Sequence, residues 1–221
     1  MIFFIDSANL NEIRQVNDLG IISGVTTNPS LMSKEDVVGK NLILDHYQNI
    51  CDIVSGHVSA EVISTQFEDI IEEGHQLSEI DTKIVVKVPI IEDGLKAIHY
   101  FTKNNIKTNC TLVFSPSQAL LAAKAGATYV SPFIGRLDDW TKKENAGLAM
   151  LSDIKTIFGN YNYKTKILAA SIRNSQQIVE CGKIGVDVIT APFTSLMPLI
   201  KHPLTDLGLK KFLADYKKNN L

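Results

Sequence analysis

Short apolar runs alternating with amphipathic segments from end to end predict a (β/α)8 TIM barrel, one domain spanning residues 1–221. Two further observations support it. Runs such as Ile84-Val85-Val86 are β-branched throughout, as expected of parallel strands buried on both faces. No Pro/Ser-rich linker or low-complexity block divides the chain. A doubly wound open sheet is the alternative, but no G-x-G-x-x-G or G-K-[ST] loop is present to serve its nucleotide-binding form.

The first strand is Ile2-Phe3-Phe4-Ile5, closed by Asp6, too short an apolar run for a signal peptide. Further strands begin near Ile21, Val58, Lys83, Lys107, Thr128, Lys166 and Val186. Amphipathic patterns between them predict helices that include Asp93–Lys103, Ser117–Ala125, Asp139–Ile157 and Ser175–Cys181. Leu207–Leu221 adds a C-terminal helix with Leu209, Phe212, Leu213 and Tyr216 at helical spacing. That helix either covers its own barrel as a lid or docks on a neighbouring subunit.

Composition narrows the function. A net charge of −2 and a pI of about 6.2 leave no electrostatic footprint for nucleic acid or an anionic membrane. No stretch approaches the roughly 18 uninterrupted apolar residues of a bilayer span. Cys51, Cys110 and Cys181 form no C-x-x-C pair, which fits a reducing cytoplasm rather than a disulfide framework. His46, His57, His75, His99 and His202 show no ligand spacing, so no metal is expected.

Lys87 is the one charge inside the apolar run Ile84–Pro89. An ammonium on such a strand either pairs with a carboxylate or gives up its proton. A neutral buried amine is a nucleophile for carbonyls and suits Schiff-base chemistry. Its bland reading is a structural ion pair.

Strand phase gathers company for it, because alternate positions face one side. Asp6 ends the first strand, Thr26 and Asn28 share a face, and Ser59 is in phase with Glu61. Val85 is in phase with Lys87, and Asn109 with Thr111. Tyr129, Ser131 and Phe133 follow, with Arg136 just beyond, and then Ala169 and Ser171 with Arg173. Each polar group has an ordinary explanation, such as Asn28 as a turn residue or Asp6 as a helix cap. Seven strands ending in polar groups of matching phase are harder to attribute to packing, and active sites of this architecture lie at that mouth. An amine, two carboxylates, hydroxyl and amide groups and two arginines suit a Schiff-base enzyme acting on a phosphorylated sugar. Aldolase, transaldolase and isomerase all remain open on these grounds.

These residues sit in segments that resemble the transaldolase family, in the short form shared with the fructose-6-phosphate aldolases. The segments are FIDSAN at the start, GVTTNPSL at 24–31, SAEVIS at 59–64, IVVKVP at 84–89 and TNCTLVF at 108–114. SPFIGRLDDW at 131–140, LAASIRN at 168–174 and DVITAP at 187–192 complete the set, in order along the whole chain. The resemblance implies a class I aldolase-like barrel that needs no cofactor and moves a dihydroxyacetone unit between sugar phosphates.

It also implies roles. Lys87 forms the Schiff base, Asp6 takes the C4 hydroxyl proton, and Glu61 exchanges protons through a water held by Thr111. Thr26, Asn28, Asn109, Ser131, Phe133 and Ser171 line the substrate, and Arg136 and Arg173 hold its phosphate. Similar aldolases tend to carry glutamine at the position of Glu61 and tyrosine at that of Phe133, so both residues here resemble the transaldolase branch. The implied substrates are sedoheptulose 7-phosphate and glyceraldehyde 3-phosphate, in the non-oxidative pentose phosphate pathway. The alternatives are a fructose-6-phosphate aldolase and a non-catalytic sugar-phosphate-binding barrel. Short members commonly form rings of five, often doubled, so a homo-oligomer (pentamer or decamer) is expected.

Overall fold

In the computed structural model, which describes residues 1–219, eight parallel strands close into a barrel in chain order. They are β1 (Ile2–Asp6), β2 (Gly24–Thr26), β3 (His57–Glu61), β4 (Ile84–Pro89), β5 (Thr108–Val113), β6 (Tyr129–Pro132), β7 (Lys166–Ala169) and β8 (Val188–Ala191). Helices follow the strands and coat the outside, the (β/α)8 arrangement expected from the sequence.

Alternation along each strand separates two apolar layers. Ile5, Val25, Val58, Val86, Val88, Val130, Ile167 and Ile189 face outward and join the core beneath the helices. Phe4, Val85, Tyr129, Leu168 and Val188 pack together inside the barrel as a separate cluster. That inner plug forms an apolar floor, and the polar residues one step further along the strands stand above it.

The βα junctions at the mouth are fixed by capping. Asn28, Ser115 and Asn174 each accept a backbone N–H from the first turn of the helix that follows, and Pro29 and Pro116 open two of those helices. On the opposite side, Gly126 and Gly185 take positive φ (95° and 81°) at helix ends and turn the chain back into the barrel.

Several boundaries differ from expectation, among them the end of the helix expected at Ser175–Cys181, which runs to Ile184. The second strand begins at Gly24 rather than near Ile21, at a position where a Cβ would lie 2.6 Å from both the His57 carbonyl oxygen and the Phe4 ring. The pattern at Asp139–Ile157 belongs to two helices, Ile134–Thr141 and Ala146–Asn160, separated by Lys142 and Asn145 in left-handed conformation. Asp138 holds that break by accepting the Gly147 N–H, and Gly147 lies so close to Ile134 that a Cβ would approach its backbone to 2.5 Å.

The C-terminal helix runs Pro203–Asn219, starting before the expected Leu207, while residues 220–221 of that expectation lie outside the described residues. It is not a lid on its own barrel. Leu204, Leu207, Leu209, Phe212, Leu213 and Tyr216 are all exposed, Phe212 by 72%. No helix among the described residues is long and apolar enough to cross a membrane.

Candidate active site

Strand register brings the polar residues to one level. Asp6 pairs with Thr26, Thr26 with Ser59, Glu61 with Lys87, and Lys87 with Asn109. Asp6, Thr26 and Glu61 are the last residues of their strands, and register sets Ser59, Lys87 and Asn109 beside them, so this level of the barrel is polar where its interior below is not.

Lys87 is buried, and of its two sequence-level outcomes the geometry is pairing. Its Nζ lies 2.9 Å from Glu61 Oε2 and donates to the Thr27 carbonyl at 2.8 Å. Thr27 is in turn held by Tyr47. Thr27 Oγ1 donates to the Ser59 carbonyl, so its contact with the Tyr47 hydroxyl at 3.0 Å is donated by the phenol, which also accepts the Glu61 N–H. Burial pushes the Tyr47 pKa up to about 12, which keeps that phenol proton in place. A tyrosine from the helix Lys40–Ile53 therefore braces both acceptors of the lysine.

Asp6 lies across the mouth. Thr26 Oγ1 donates to its Oδ1 at 2.7 Å. Desolvation pushes its pKa above the usual carboxylate value, against the lowering pull of Lys87, the Thr26 hydrogen bond, Arg136 and Lys34. Such a carboxyl is better suited to taking and returning a proton than one deep in an ion pair. Its bland reading as a helix cap does not hold, because Asn9 caps the first helix.

Asp6, Lys87, Ser131, Phe133, Arg136 and Arg173 line a single cavity of about 300 Å³, as do Thr26, Asn28 and Ser171. Its volume and its rim of cations match a small anionic ligand. The Arg136 guanidinium lies 4.9 Å over the Phe133 ring, and Phe114 meets that ring edge-on. Arg173 extends from just past β7, where Asp139 holds it at 2.7 Å.

Glu61, Asn109 and Thr111 do not line that cavity. Asn109 is committed to its neighbours, donating to Ser59 Oγ and accepting from Ser131 Oγ. Thr111 Oγ1 is buried with no hydrogen-bond partner among the described residues. Glu61 borders a different cavity of about 520 Å³, between the helices Lys40–Ile53 and Phe67–Ser78.

Strand seven departs from the expected phase. Leu168 and Ala170 face the interior, whereas Ala169 belongs to the outer core. Ser171 nevertheless reaches the mouth because the strand has ended and its φ is +58°. There its hydroxyl accepts the Arg136 N–H and its carbonyl the Gly135 N–H.

Sequence reasoning missed Tyr47, Lys34 and Thr190. Thr190 could have been found, because in DVITAP it is in phase with inward-facing Val188. Tyr47 had a weaker signal, a hydroxyl on the buried face of a helix, and Lys34 had none. Among the described residues, no group of three or more His, Cys, Asp or Glu side chains comes together to hold a metal ion.

Comparison with known proteins places the chain in a family. The model of the family described as "Transaldolase/Fructose-6-phosphate aldolase" matches residues 3–220. The chain is 60% identical over 220 residues to a protein of Cytophaga hutchinsonii named "Probable transaldolase", and 58% identical to one of the same name from Phocaeicola vulgatus. Both alignments cover 100% of each chain. A solved structure of inosine 5′-monophosphate dehydrogenase from Legionella pneumophila superposes with a TM-score of 0.58 at 15% identity. It covers 85% of this chain and 57% of that one, a likeness of fold alone.

Proposed function

Because the chain belongs to the transaldolase/fructose-6-phosphate aldolase family, we propose that it is a transaldolase that works through a Schiff base on Lys87. It moves a dihydroxyacetone unit from sedoheptulose 7-phosphate to glyceraldehyde 3-phosphate, giving erythrose 4-phosphate and fructose 6-phosphate. One observation carries the reading: a buried amine, paired with Glu61 at 2.9 Å, borders a cavity that Asp6 and two arginines share.

In this scheme Lys87 adds to the C2 carbonyl of the ketose, and loss of water gives an iminium. Glu61 exchanges the protons of that step through a water on Thr111, whose buried hydroxyl has a free bonding position. Asp6 then removes the C4 hydroxyl proton. The C3–C4 bond breaks, its electrons pass to the iminium as an enamine, and the aldose phosphate departs. The acceptor aldehyde takes the enamine carbon, and Asp6 returns its proton to the new hydroxyl. Asn28, Ser131 and Ser171 orient the three-carbon unit, Asn109 acts through Ser131, whose hydroxyl donates to it, and Arg136 and Arg173 hold the phosphate. Thr26 serves Asp6, to which its proton is given.

The proposal extends to the setting. Free, buried cysteines suit a reducing cytoplasm, where the non-oxidative pentose phosphate pathway would use this reaction. The exposed apolar residues of Pro203–Asn219 suit a homo-oligomer in which the helix packs on a neighbouring copy.

Incubation with fructose 6-phosphate and sodium borohydride, followed by mass spectrometry, tests the mechanism. A dihydroxyacetone-sized adduct on Lys87 supports it, and acceptor dependence of product formation separates transferase from aldolase. Absence of an adduct while substrate binds would leave only a sugar-phosphate-binding barrel.

A further inference from the structure

We propose that Thr190 is a positioning residue that acts on Asp6 through Thr26, the two threonines forming a hydrogen-bond relay beneath the carboxyl. The inference rests on the reading of Asp6 as the proton acceptor in bond cleavage.

Three strands build the relay. Asp6 ends β1, and Thr26 and Thr190 come from the strands on either side of it, β2 and β8. Thr26 and Thr190 are each only 2% exposed, at the wall of the same cavity as Asp6. Thr190 Oγ1 lies 2.7 Å from Thr26 Oγ1, and Thr26 Oγ1 lies 2.7 Å from Asp6 Oδ1.

Counting hydrogens fixes the direction. A threonine hydroxyl has one proton. Thr26 gives its proton to the Asp6 carboxylate, so the proton between the threonines belongs to Thr190. Thr190 therefore holds Thr26 in its donor orientation and polarises the hydrogen bond that stabilises the ionised carboxyl. When Asp6 takes the substrate proton on its other carboxyl oxygen, Thr26 keeps its hydrogen bond to Oδ1 and Thr190 keeps its own to Thr26. Both states of Asp6 are satisfied without displacement of a heavy atom.

The charged groups around Asp6 bear on how this is read. Lys87 faces it from β4, Arg136 from the helix Ile134–Thr141 and Lys34 from the helix Pro29–Lys34, all favouring the carboxylate. Arg173 lines the same cavity. None of them changes with a substitution at Thr190, so the hydroxyl can be tested alone.

The test compares Thr190→Val and Thr190→Ser with the unaltered protein. Valine keeps the shape and suits a strand; serine keeps the hydroxyl. Thr190→Val is expected to lower kcat for transfer roughly fivefold and to move the acid limb of the pH profile upward by about half a unit. KM for the sugar phosphates stays put, and Thr190→Ser stays near the unaltered protein in both respects. Thr190→Ala, judged by its melting temperature, replaces valine if that variant does not fold.

Borohydride trapping with fructose 6-phosphate separates this inference from the reading beneath it. In Thr190→Val the Lys87 adduct should persist and shift from dihydroxyacetone-sized towards ketose-phosphate-sized, because cleavage rather than imine formation is slowed. An unchanged pH profile in a folded Thr190→Val, or equal loss in Thr190→Ser, would overturn the relay. Failure of the unaltered protein to form any Lys87 adduct would overturn the mechanism and the relay with it.

Discussion

Gly135 and Arg173 touch so closely that a Cβ on the glycine would lie 2.6 Å from Arg173 Cγ and 2.8 Å from its Nε. The same Cβ would approach the Ser171 carbonyl oxygen to 2.6 Å, and that oxygen accepts the Gly135 N–H. A missing side chain thus lets the loop after β7 lie across the first turn of the helix Ile134–Thr141. It sets where the guanidinium stands at the rim of the cavity.

Gly135→Ala should therefore displace Arg173 and raise KM for phosphorylated substrates roughly tenfold, the scale of one charge-assisted hydrogen bond. Turnover at saturation should change little. Steady-state kinetics with a phosphorylated and an unphosphorylated acceptor provide the check. Equal losses for both would mean that the glycine serves the barrel rather than the phosphate.

Glu61→Ala leaves the Lys87 ammonium buried with only the Thr27 carbonyl for an acceptor. Breaking a buried pair from one side costs about 3 kcal/mol, more than the pair itself contributes. Urea titration should show that loss, and replacing Lys87 with methionine in the same chain should restore much of it. A loss below about 1 kcal/mol would mean that water reaches the amine.

Asp6→Asn tests the cost of a desolvated carboxyl. The folded chain binds the Asp6 proton more tightly than the unfolded chain does, because its pKa is raised. The stability linked to that proton is fully present below the unfolded-state pKa and is lost as pH rises through the folded one. Ionised Asp6 is therefore unfavourable at neutral pH. The amide, which still accepts from Thr26, should raise the melting temperature at pH 7, with the gain shrinking as pH falls. Cleavage should drop by about 10² or more if Asp6 is the general base, as proposed. Equal melting temperatures at pH 7 would contradict the desolvation argument.

Phe133→Tyr places a hydroxyl beside the cavity, on a ring that meets the Arg136 guanidinium and the edge of Phe114. A phenol there can orient water towards a Lys87 intermediate, so acceptor-free cleavage of fructose 6-phosphate should rise on the order of tenfold relative to transfer. An unchanged ratio, measured by dihydroxyacetone release with and without acceptor, would remove Phe133 from the question of transfer against hydrolysis.

Much of this site was legible in the sequence because strands impose a period of two. Lys87 among β-branched neighbours lines the cavity as its phase required, and Glu61 and Asn109 stand in register beside it though neither lines that cavity. Phase failed where a strand ended early. Ala169 was expected inside and packs outside, and Ser171 arrives by a left-handed backbone angle that no alternation rule contains. Contacts between distant segments were equally hidden. Tyr47 reaches Thr27 from a helix, and Thr190 reaches Thr26 across the inner face of β1. The split of Asp139–Ile157 into two helices depended on Gly147 fitting against Ile134, a tertiary contact rather than a local preference.

As an ammonium, Lys87 carries three hydrogens and spends two of them on Glu61 and the Thr27 carbonyl. An iminium nitrogen has one. Every Schiff base on this lysine must therefore release at least one of two buried acceptors, and each such loss costs about 1–3 kcal/mol. Under the proposed mechanism the resting contacts would act as a spring that the covalent intermediate holds stretched, favouring return of the free amine once the new carbon–carbon bond has formed.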